Sequence, residues 1–357
     1  LVFAHGSFWQ AGPVLPVAYP ITAPTVAIVV PARDEAPVIE ATLRSLLAQD
    51  YAGPFRVILT DDNSTDGTGD IARAIGDPRL TVVTGAPRPA GWSGKLWAVS
   101  QGIEEAGKAD LVLLTDADIV HEPAHLSSLV ARIERYGLDL VSEMVRLACD
   151  SWAERALVPA FVYFFQLLYP FAWVNDGLKG TAAAAGGTIL IRRRALQRIG
   201  GVESVRGALI DDVALATAVK KGGRIWLGHA DLARSVRPYP AMIDIWRMIT
   251  RTAFVQLRYS LLLLLATTLG MALIWLVPPV ATVFGHRRAF WCGLATWTLL
   301  SVSYIPTLRR FGRSPLWAPL LPLIACFYMA ATIGSAVNHF RGRGVAWKGR
   351  AYQGAAG

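Results

Sequence analysis

The feature that most constrains the fold is the apolar sequence beyond residue 256. Three stretches there carry almost no charge, at about 260–284, 289–307 and 316–337. A bilayer core about 30 Å thick needs roughly 20 apolar helical residues. The whole chain is 53% hydrophobic, and the excess over a typical soluble protein lies mostly in this half. The sequence therefore predicts a transmembrane helical region at 260–340, behind a soluble front half.

The net charge of +9 does not indicate a nucleic-acid-binding protein. The basic residues cluster beside the apolar runs, in "GHRRAF", "TLRRFGRSP" and the basic C-terminal tail at 341–357. Positive charge that flanks membrane helices attracts anionic lipid headgroups. We therefore expect a membrane, and no nucleic acid, as a partner.

The chain opens with a short apolar segment at 1–23 that is followed by aromatic and turn residues. We interpret this segment either as the end of a truncated membrane helix or as an ordinary ragged terminus. The three cysteines have neither disulfide nor zinc spacing, so we expect them to be small apolar side chains.

The front half alternates strand and helix patterns from Val26 onward. "VAIVVPARDEA" reads as a buried strand, "PVIEATLRSLLAQ" as an amphipathic helix, and "FRVILTDDNSTDGTGDIARAI" as strand, loop and helix. Alternation of this kind predicts an α/β domain at 24–245 with a mostly parallel, Rossmann-like sheet. Ligands of such sheets bind beyond the carboxyl ends of the strands.

Residues 153–175 are apolar and nearly long enough to cross a bilayer as a helix. A crossing there would place two halves of one sheet on opposite sides of the membrane. We therefore predict interfacial helices in the headgroup plane, or helices that line a groove for an apolar substrate; the alternative is a core helix. A basic amphipathic interface segment is predicted at 246–259.

Carboxylates follow several predicted strands, and crowding them at one sheet edge requires cations, hydrogen bonds or water. Asp116 and Asp118 are two residues apart, so in an extended chain both would point to one side. A hard divalent cation, Mg²⁺ or Mn²⁺, bridged to a phosphate would account for this pair. The histidines have no metal-binding spacing, so we expect surface or structural roles for His121, His125 and His229.

The ordered motifs "PARDEA", "DDNSTDGT", "WSGKLWAV", "TDADI", "AAGG" with "RRRALQRIGG", and "DDVAL" resemble those of the family 2 glycosyltransferases of the GT-A fold. The resemblance covers residues 24–260. Within the family, the chain is most similar to the hopanoid-biosynthesis-associated glycosyltransferases and more distantly to ceramide glucosyltransferases.

This resemblance implies a metal-dependent, inverting glycosyltransferase that moves a sugar from a UDP-sugar to a membrane lipid hydroxyl, with a hopanoid or related lipid as acceptor. A polysaccharide or polyprenyl-phosphate sugar transferase is the alternative within the enzymes. The alternative of another class is an inactive nucleotide-sugar-binding membrane protein.

The resemblance also assigns roles to individual residues. The nucleotide-sugar-binding residues would be Pro31, Ala32, Arg33, Glu35, Asp61, Asp62, Gly94, Lys95, Asp116, Ala117 and Asp118. Asp118 would be the more direct metal ligand, with Asp116 as the second. Asp212 would be the catalytic base, with Asp211 as the other candidate; a helix N-cap is the competing interpretation of this pair.

Gly186 and Gly187 would allow the acceptor or donor sugar to approach the backbone, although a glycine pair before a strand is also typical of a bulge. The family's last motif is degenerate here. Its candidates for diphosphate binding are Arg247, Arg251, Gln256 and Arg258.

We expect a multi-pass protein of the bacterial inner membrane whose catalytic domain faces the cytoplasm, where nucleotide sugars are found. Three full crossings would place the basic tail outside, against the positive-inside tendency. Either one segment is re-entrant, with the Pro278–Pro279 pair or the short middle segment as the suspected place, or the rule fails here. We expect both chain ends in the cytoplasm.

Overall fold

The computed structural model describes Val2, residues 4–342, and the backbone of 346–347 and 350–351. Most of the predicted basic tail lies outside the described residues. The chain divides into two compact units. A sheet unit contains residues 13–148 and 171–237, and a helical unit contains residues 1–12, 149–170 and 238–346.

The sheet unit alternates strands and helices along the chain, as the sequence predicts. Its strands are β1 (Val26–Ala32), β2 (Phe55–Asp61), β3 (Leu80–Thr84), β4 (Leu111–Thr115), β5 (Ile119–His121), β6 (Leu140–Arg146), β7 (Thr188–Arg192) and β8 (Ile225–Ser235). Its helices are α1 (Ala36–Leu47), α2 (Thr68–Ala74), α3 (Gly94–Glu105), α4 (His125–Arg135), α6 (Phe171–Asn175), α7 (Arg193–Arg198) and α8 (Asp211–Lys220).

The eight strands form one mixed sheet in the order β3-β2-β1-β4-β7-β6-β8-β5. Strands β1 to β4 are mutually parallel where they pair, and β6 pairs with β8 in parallel. Strand β7 is antiparallel to both β4 and β6, and β5 is antiparallel to β8. Four of the seven strand pairings are therefore parallel, as predicted. The antiparallel pairings are the two of β7, which enters between β4 and β6, and that of β5 with β8.

The first strand and its flanking helices follow directly from local sequence. All seven residues of β1 are buried, as expected for a central strand that is covered on both faces. Helix α1 has Pro37 in its first turn and buries the apolar stripe that contains Ile39 and Leu43. Helix α3 lies so close to β1 that a Cβ on Gly102 would be 2.4 Å from the Val29 side chain. The glycine there permits the close approach.

The helical unit holds the remaining helices. They are α5 (Trp152–Leu168), α9 (Met242–Gln256), α10 (Leu261–Met271), α11 (Val277–Phe284), α12 (Arg288–Arg310) and α13 (Leu321–Phe340). A π-helical segment (Ala272–Leu276) joins α10 to α11, and a 3₁₀ segment (Pro315–Leu320) precedes α13. Near the end of the described chain, two short strands, Ala346–Trp347 and Arg350–Ala351, form a separate two-stranded sheet.

Two helical stretches of the described chain, Leu261–Phe284 and Pro315–Phe340, are long and apolar enough to cross a membrane by length and composition. The sequence had predicted three such segments. Helix α12, which covers the middle one, does not reach the same apolar content. Its Ser, Thr, Trp and Tyr residues dilute the apolar side chains. The structure therefore does not support the predicted multi-pass topology.

The predicted interfacial segment at 153–175 is two helices, α5 and α6, separated by Tyr169 and Pro170. Helix α5 begins with a capping box between Ser151 and Glu154. It packs within the helical unit, where the buried Tyr163 hydroxyl is 2.7 Å from Ser303 Oγ. For the part of α5 around Tyr163, the core interpretation fits better than a fully interfacial helix.

Candidate active site

A cleft lies in the sheet unit, at the carboxyl ends of β1 and β4. The starts of α3 and α8 and the turn before β7 complete its walls. Its lining residues are Pro31, Lys95, Leu96, Val99, Leu114, Thr115, Asp116, Gly186, Ile189, Asp211, Asp212 and Leu215. The cleft thus brings together the predicted lysine, the first aspartate of the "DAD" triplet, both predicted catalytic aspartates and the first glycine of the pair.

Lys95 connects the acidic residues of this cleft. Its ammonium lies 2.8 Å from Asp116 Oδ1 and 3.6 Å from Asp211 Oδ2. Burial alone would lower the pKa of Lys95, but the surrounding carboxylates outweigh it and raise that pKa. Lys95 is therefore a fixed cation in the first turn of α3, whose N-cap Ser93 accepts a hydrogen bond from the Leu96 N–H.

The carboxylate of Asp212 has a pKa that is shifted toward neutral pH. Burial, followed by the charge of Asp211, raises the pKa of Asp212 to about 7, against the opposing effect of Lys95. Asp212 accepts hydrogen bonds from the backbone N–H groups of Val213 and Gly186. A carboxylate with a pKa near 7 can take up a proton at neutral pH.

The helix N-cap interpretation of this aspartate pair does not fit the structure. The N-cap of α8 is Ile210, and Asp211 and Asp212 lie inside the first turn. Gly186 also contributes to their surroundings, because a Cβ there would lie 3.4 Å from Asp212 Oδ2 and 3.3 Å from Lys95 Nζ. The small residue keeps the space between the lysine and the aspartate open.

The two aspartates of the "DAD" triplet meet different cations. Strand β4 ends at Thr115 and residues 116–118 form a turn, so the same-side expectation for an extended chain fails here. Asp116 pairs with Lys95, and burial together with the Asp118 charge raises its pKa. Asp118 Oδ2 instead accepts from Arg237 Nε at 2.9 Å and from Ser235 Oγ at 3.1 Å.

Arg237 was not predicted, and it connects two residues that were. Its guanidinium donates to both carboxylate oxygens of Glu35 at 2.7 Å while it also pairs with Asp118. The arginine follows β8 in "SVRPYP", more than a hundred residues from either partner. No local pattern marks it, since only the pairing of β8 with β5 and β6 brings it to the triplet.

The loops after β1 and β2 are joined to each other. Arg33 Nη1 donates to the backbone oxygen of Asp62 at 2.6 Å and lies 3.3 Å from its carboxylate. Asp61 Oδ1 accepts from the Ser64 N–H at 2.9 Å. Pro31 and Ala32 end β1, and the Ala32 carbonyl accepts from the Asp62 N–H. The predicted nucleotide-binding residues of these two loops therefore lie side by side.

The predicted metal ligands, Asp116 and Asp118, each pair with a cationic side chain of the protein. Among the residues that the structure describes, no three His, Cys, Asp or Glu side chains are gathered to hold a metal ion. Magnesium-type ions that bind phosphates often take only one or two carboxylates and complete their shell with water and phosphate oxygens. Asp116 and Asp118 supply oxygen donors of that kind.

The predicted diphosphate-binding residues belong to the helical unit and not to the unit that contains the cleft. Arg247, Arg251 and Gln256 lie on α9, and Arg258 follows it with a positive φ of 52°. Gln256 Nε2 donates to the Tyr169 hydroxyl within the helical unit. Gly187 lies beside Val145, where a Cβ would meet that side chain at 3.0 Å. Ala117 is buried in the turn between Asp116 and Asp118.

The sheet unit has the GT-A fold, which is named for glycosyltransferases. The structure is similar to that of the mannosyltransferase PcManGT from Pyrobaculum calidifontis, solved in complex with GDP-Man and Mn²⁺, with a TM-score of 0.57 and 23% identity over 92% of each chain. The predicted GT-A fold is confirmed by this likeness. Residues 27–200 match the family model described as Glycosyl transferase family 2.

Two curated relatives match different fractions of this chain. The chain is 26% identical over 346 residues to 4,4'-diaponeurosporenoate glycosyltransferase of Staphylococcus aureus, across 91% of this chain and 87% of the relative. It is 27% identical over 230 residues to a probable glycosyltransferase, YdaM, of Bacillus subtilis. That match covers 62% of this chain but spans only half the length of the relative.

Proposed function

We propose that this protein is an inverting glycosyltransferase that moves a sugar from a UDP-sugar to a hydroxyl group of a membrane lipid, a hopanoid or a related lipid. The observation that carries this proposal is the shared cleft of Asp116, Lys95 and Asp212. It combines a carboxylate and a cation suited to a nucleotide sugar with a second carboxylate whose pKa matches a general base.

The donor diphosphate would bind between Lys95, the "DAD" turn and Arg237. Mg²⁺ or Mn²⁺ held by Asp118 and Asp116 would neutralise the charge that develops on the departing nucleoside diphosphate. Arg237 now occupies Asp118 Oδ2. Binding of the donor would require the guanidinium to share or release that oxygen, and the released guanidinium could then contact the diphosphate.

Asp212 would act on the acceptor. Its carboxylate takes the proton from the lipid hydroxyl as the hydroxyl oxygen forms its bond to the anomeric carbon. The bond from that carbon to the diphosphate breaks, and the nucleoside diphosphate leaves with the bonding electrons. A single displacement of this kind inverts the anomeric configuration, so one base is sufficient. Asp211, held near Lys95, would keep the pKa of Asp212 high.

The lipid acceptor is supported by the two membrane-length helices and by the similarity to a relative named for diaponeurosporenoate. The resemblance of the motifs to the hopanoid-associated enzymes supports the finer assignment. A cytoplasmic catalytic domain at the bacterial inner membrane would have access to both substrates.

Calorimetric titration of the purified protein with UDP and with GDP, each with and without Mn²⁺, tests the donor site. We expect UDP binding that depends on Mn²⁺. Because the mannosyltransferase neighbour was solved with GDP-Man, stronger binding of GDP would replace the uridine assignment and retain the site. No binding of either nucleotide would contradict the proposed function.

The pH dependence of transfer should report the pKa of Asp212. A base must be deprotonated to act, so a pKa of about 7 predicts that kcat/KM rises about tenfold per pH unit below 7 and levels off above it. Replacing Asp211 with Asn removes the like charge that raises this pKa. We expect the inflection to move to lower pH in Asp211→Asn.

The surface variant Asp70→Asn provides the matched control for this pH profile. Its carboxylate is 87% exposed and pairs only locally, with Arg73 in the same helix. An inflection that stays in place in Asp211→Asn, or that moves equally in Asp70→Asn, would contradict the assignment of Asp212 as the titrating base.

Membrane attachment should depend on the apolar surface of Leu261–Phe284. Leu269 and Leu273 are 60% and 65% exposed there. An arginine at the centre of a spanning helix costs about 3 kcal/mol, so we expect Leu269→Arg with Leu273→Arg to release the protein from membranes at alkaline pH. The double exchange to Phe is the matched control. Equal retention of both variants would argue against insertion of this helix.

A further inference from the structure

A buried chain of polar side chains leads from β6 to the cleft. Glu143 Oε2 lies 2.7 Å from His125 Nε2, and His125 Nδ1 lies 2.7 Å from His121 Nδ1. His121 Nε2 lies 3.0 Å from Thr115 Oγ1, and that hydroxyl donates to the Gly187 carbonyl at 2.8 Å. All four side chains of this Glu–His–His–Thr chain are buried, with at most 3% exposed.

The direction of the hydrogen bonds follows from counting protons. A carbonyl oxygen can only accept, so the single hydroxyl proton of Thr115 is committed to Gly187. His121 Nε2 must then donate to Thr115 Oγ1. Burial, followed by the proximity of His125, holds the pKa of His121 well below its usual value, so this ring is neutral and its Nδ1 accepts. His125 Nδ1 must therefore donate to His121.

These bond directions require one proton more than the reversed arrangement would hold, and this proton lies between His125 and Glu143. If His125 Nδ1 carries a proton, then its Nε2 contact with Glu143 holds a second one, as an imidazolium and carboxylate or as the neutral pair. With one proton fewer, the His125–His121 and His121–Thr115 hydrogen bonds would reverse, while His125 Nε2 would donate to Glu143. His121 would carry its proton on Nδ1, and the Thr115 hydroxyl would turn away from Gly187 toward His121 Nε2.

The end of this chain is coupled to the proposed base. Thr115 and Thr188 are opposite each other where β4 pairs with β7, directly beside the Gly186–Gly187 turn. The Gly186 N–H donates to the Asp212 carboxylate. The Gly187 carbonyl and the Gly186 N–H belong to different peptide units of the same short turn. A hydroxyl that fixes the Gly187 carbonyl therefore limits the movement of the turn that holds Asp212.

We propose that the Glu143–His125–His121 chain retains one proton in order to orient the Thr115 hydroxyl, and that Thr115 is a positioning residue for Asp212 through the glycine turn. The part of this inference that concerns Asp212 rests on the proposed function. The predicted tautomers of the two histidines do not rest on the proposed function, and they can be measured in the absence of any substrate.

Nitrogen-15 NMR of the protein with labelled histidine rings tests the proton arrangement. We expect His121 with a proton on Nε2 and a bare Nδ1, and His125 with a protonated Nδ1. Signals are assigned from their loss in His121→Gln and His125→Gln. In Thr115→Val the acceptor of His121 Nε2 is gone, so we expect His121 to switch to the Nδ1 tautomer and His125 Nδ1 to lose its proton.

Two matched variants make this test specific. Thr115→Ser keeps the hydroxyl and should retain the wild-type tautomers. Thr188→Val removes another hydroxyl that donates to the same carbonyl, outside the chain, and should also leave the tautomers unchanged. A wild-type His121 with its proton on Nδ1, or a Thr115→Val spectrum that matches wild type, would overturn the proposal.

Kinetics then test the positioning role. We expect Thr115→Val to lower kcat about tenfold with the donor KM unchanged within about twofold, and Thr115→Ser to restore kcat. An equal rise in KM, or no change in kcat, would show that Thr115 does not position the base. Absence of transfer by the wild type would instead refute the proposed function while the tautomer result stands.

Discussion

Replacing Asp212 with Asn should abolish sugar transfer while leaving donor binding intact. The variant keeps the size of the side chain and can still accept from the Gly186 and Val213 N–H groups. It cannot take up the proton of the acceptor hydroxyl. General-base catalysis contributes about 10²–10⁴ in rate, so we expect kcat to fall by that factor. Steady-state transfer assays and calorimetric donor titrations check the two halves of this prediction.

The surface variant Asp70→Asn again serves as the matched control and should transfer at the wild-type rate. A small loss of kcat in Asp212→Asn together with a large loss in Asp211→Asn would move the base to Asp211. Loss of donor affinity in Asp212→Asn equal to the loss of transfer would show that this residue holds the nucleotide sugar and is not the base.

Replacing Asp118 with Asn should lower kcat/KM about 100-fold or more by weakening the metal-dependent part of donor binding. The amide oxygen can still accept from Ser235 and Arg237, so we expect the turn to keep its shape. The lost carboxylate charge affects both the cation and the guanidinium. Nucleotide titrations with and without Mn²⁺ should show that the variant loses most of the difference between the two conditions.

The comparison of Asp118→Asn with Asp212→Asn separates the two carboxylates. Only the first should weaken nucleotide binding in a metal-dependent way. If both variants lose nucleotide affinity equally, with Mn²⁺ and without it, the assigned roles are wrong. If Asp118→Asn retains the full metal dependence, Asp116 alone would be the carboxylate ligand.

Local patterns predicted most of the sheet unit. Each of the strands β1 to β4 is formed by one short apolar run of the sequence. The helix starts at Ala36 and Gly94 are marked by Pro37 and Ser93. The direction of β7 could not be predicted in this way. It depends on where the chain returns to the sheet after the α5 segment, and a non-local pairing of that kind leaves no periodic signal.

The sequence motifs predicted the cleft residues that lie within the motifs themselves. They did not predict residues that only the fold brings to the site. The motifs led to Lys95, Asp116 and Asp212, and these line one cleft. The geometry of the "DAD" triplet was wrong because the strand stops at Thr115. Arg237 has no local marker and meets the triplet only through strand pairing.

The histidines show the same limit. Their spacing predicts surface or structural roles, and both His121 and His125 are buried. The spacing could not show that His121 and His125 join a buried glutamate to the cleft, because Glu143 comes from a different strand. A buried polar chain is visible only once the tertiary structure places its members together.

The most direct test of the central claim is transfer of radiolabelled sugar into membrane lipid by the purified protein. The assay supplies a panel of UDP-sugars and GDP-mannose, Mn²⁺, and vesicles that contain hopanols or polyprenyl phosphate, and counts label in the organic phase. We predict label from a UDP-sugar in hopanol vesicles with the wild type and none with Asp212→Asn. Transfer to polyprenyl phosphate alone would change the acceptor. No transfer from any donor, or equal transfer by both proteins, would contradict the account.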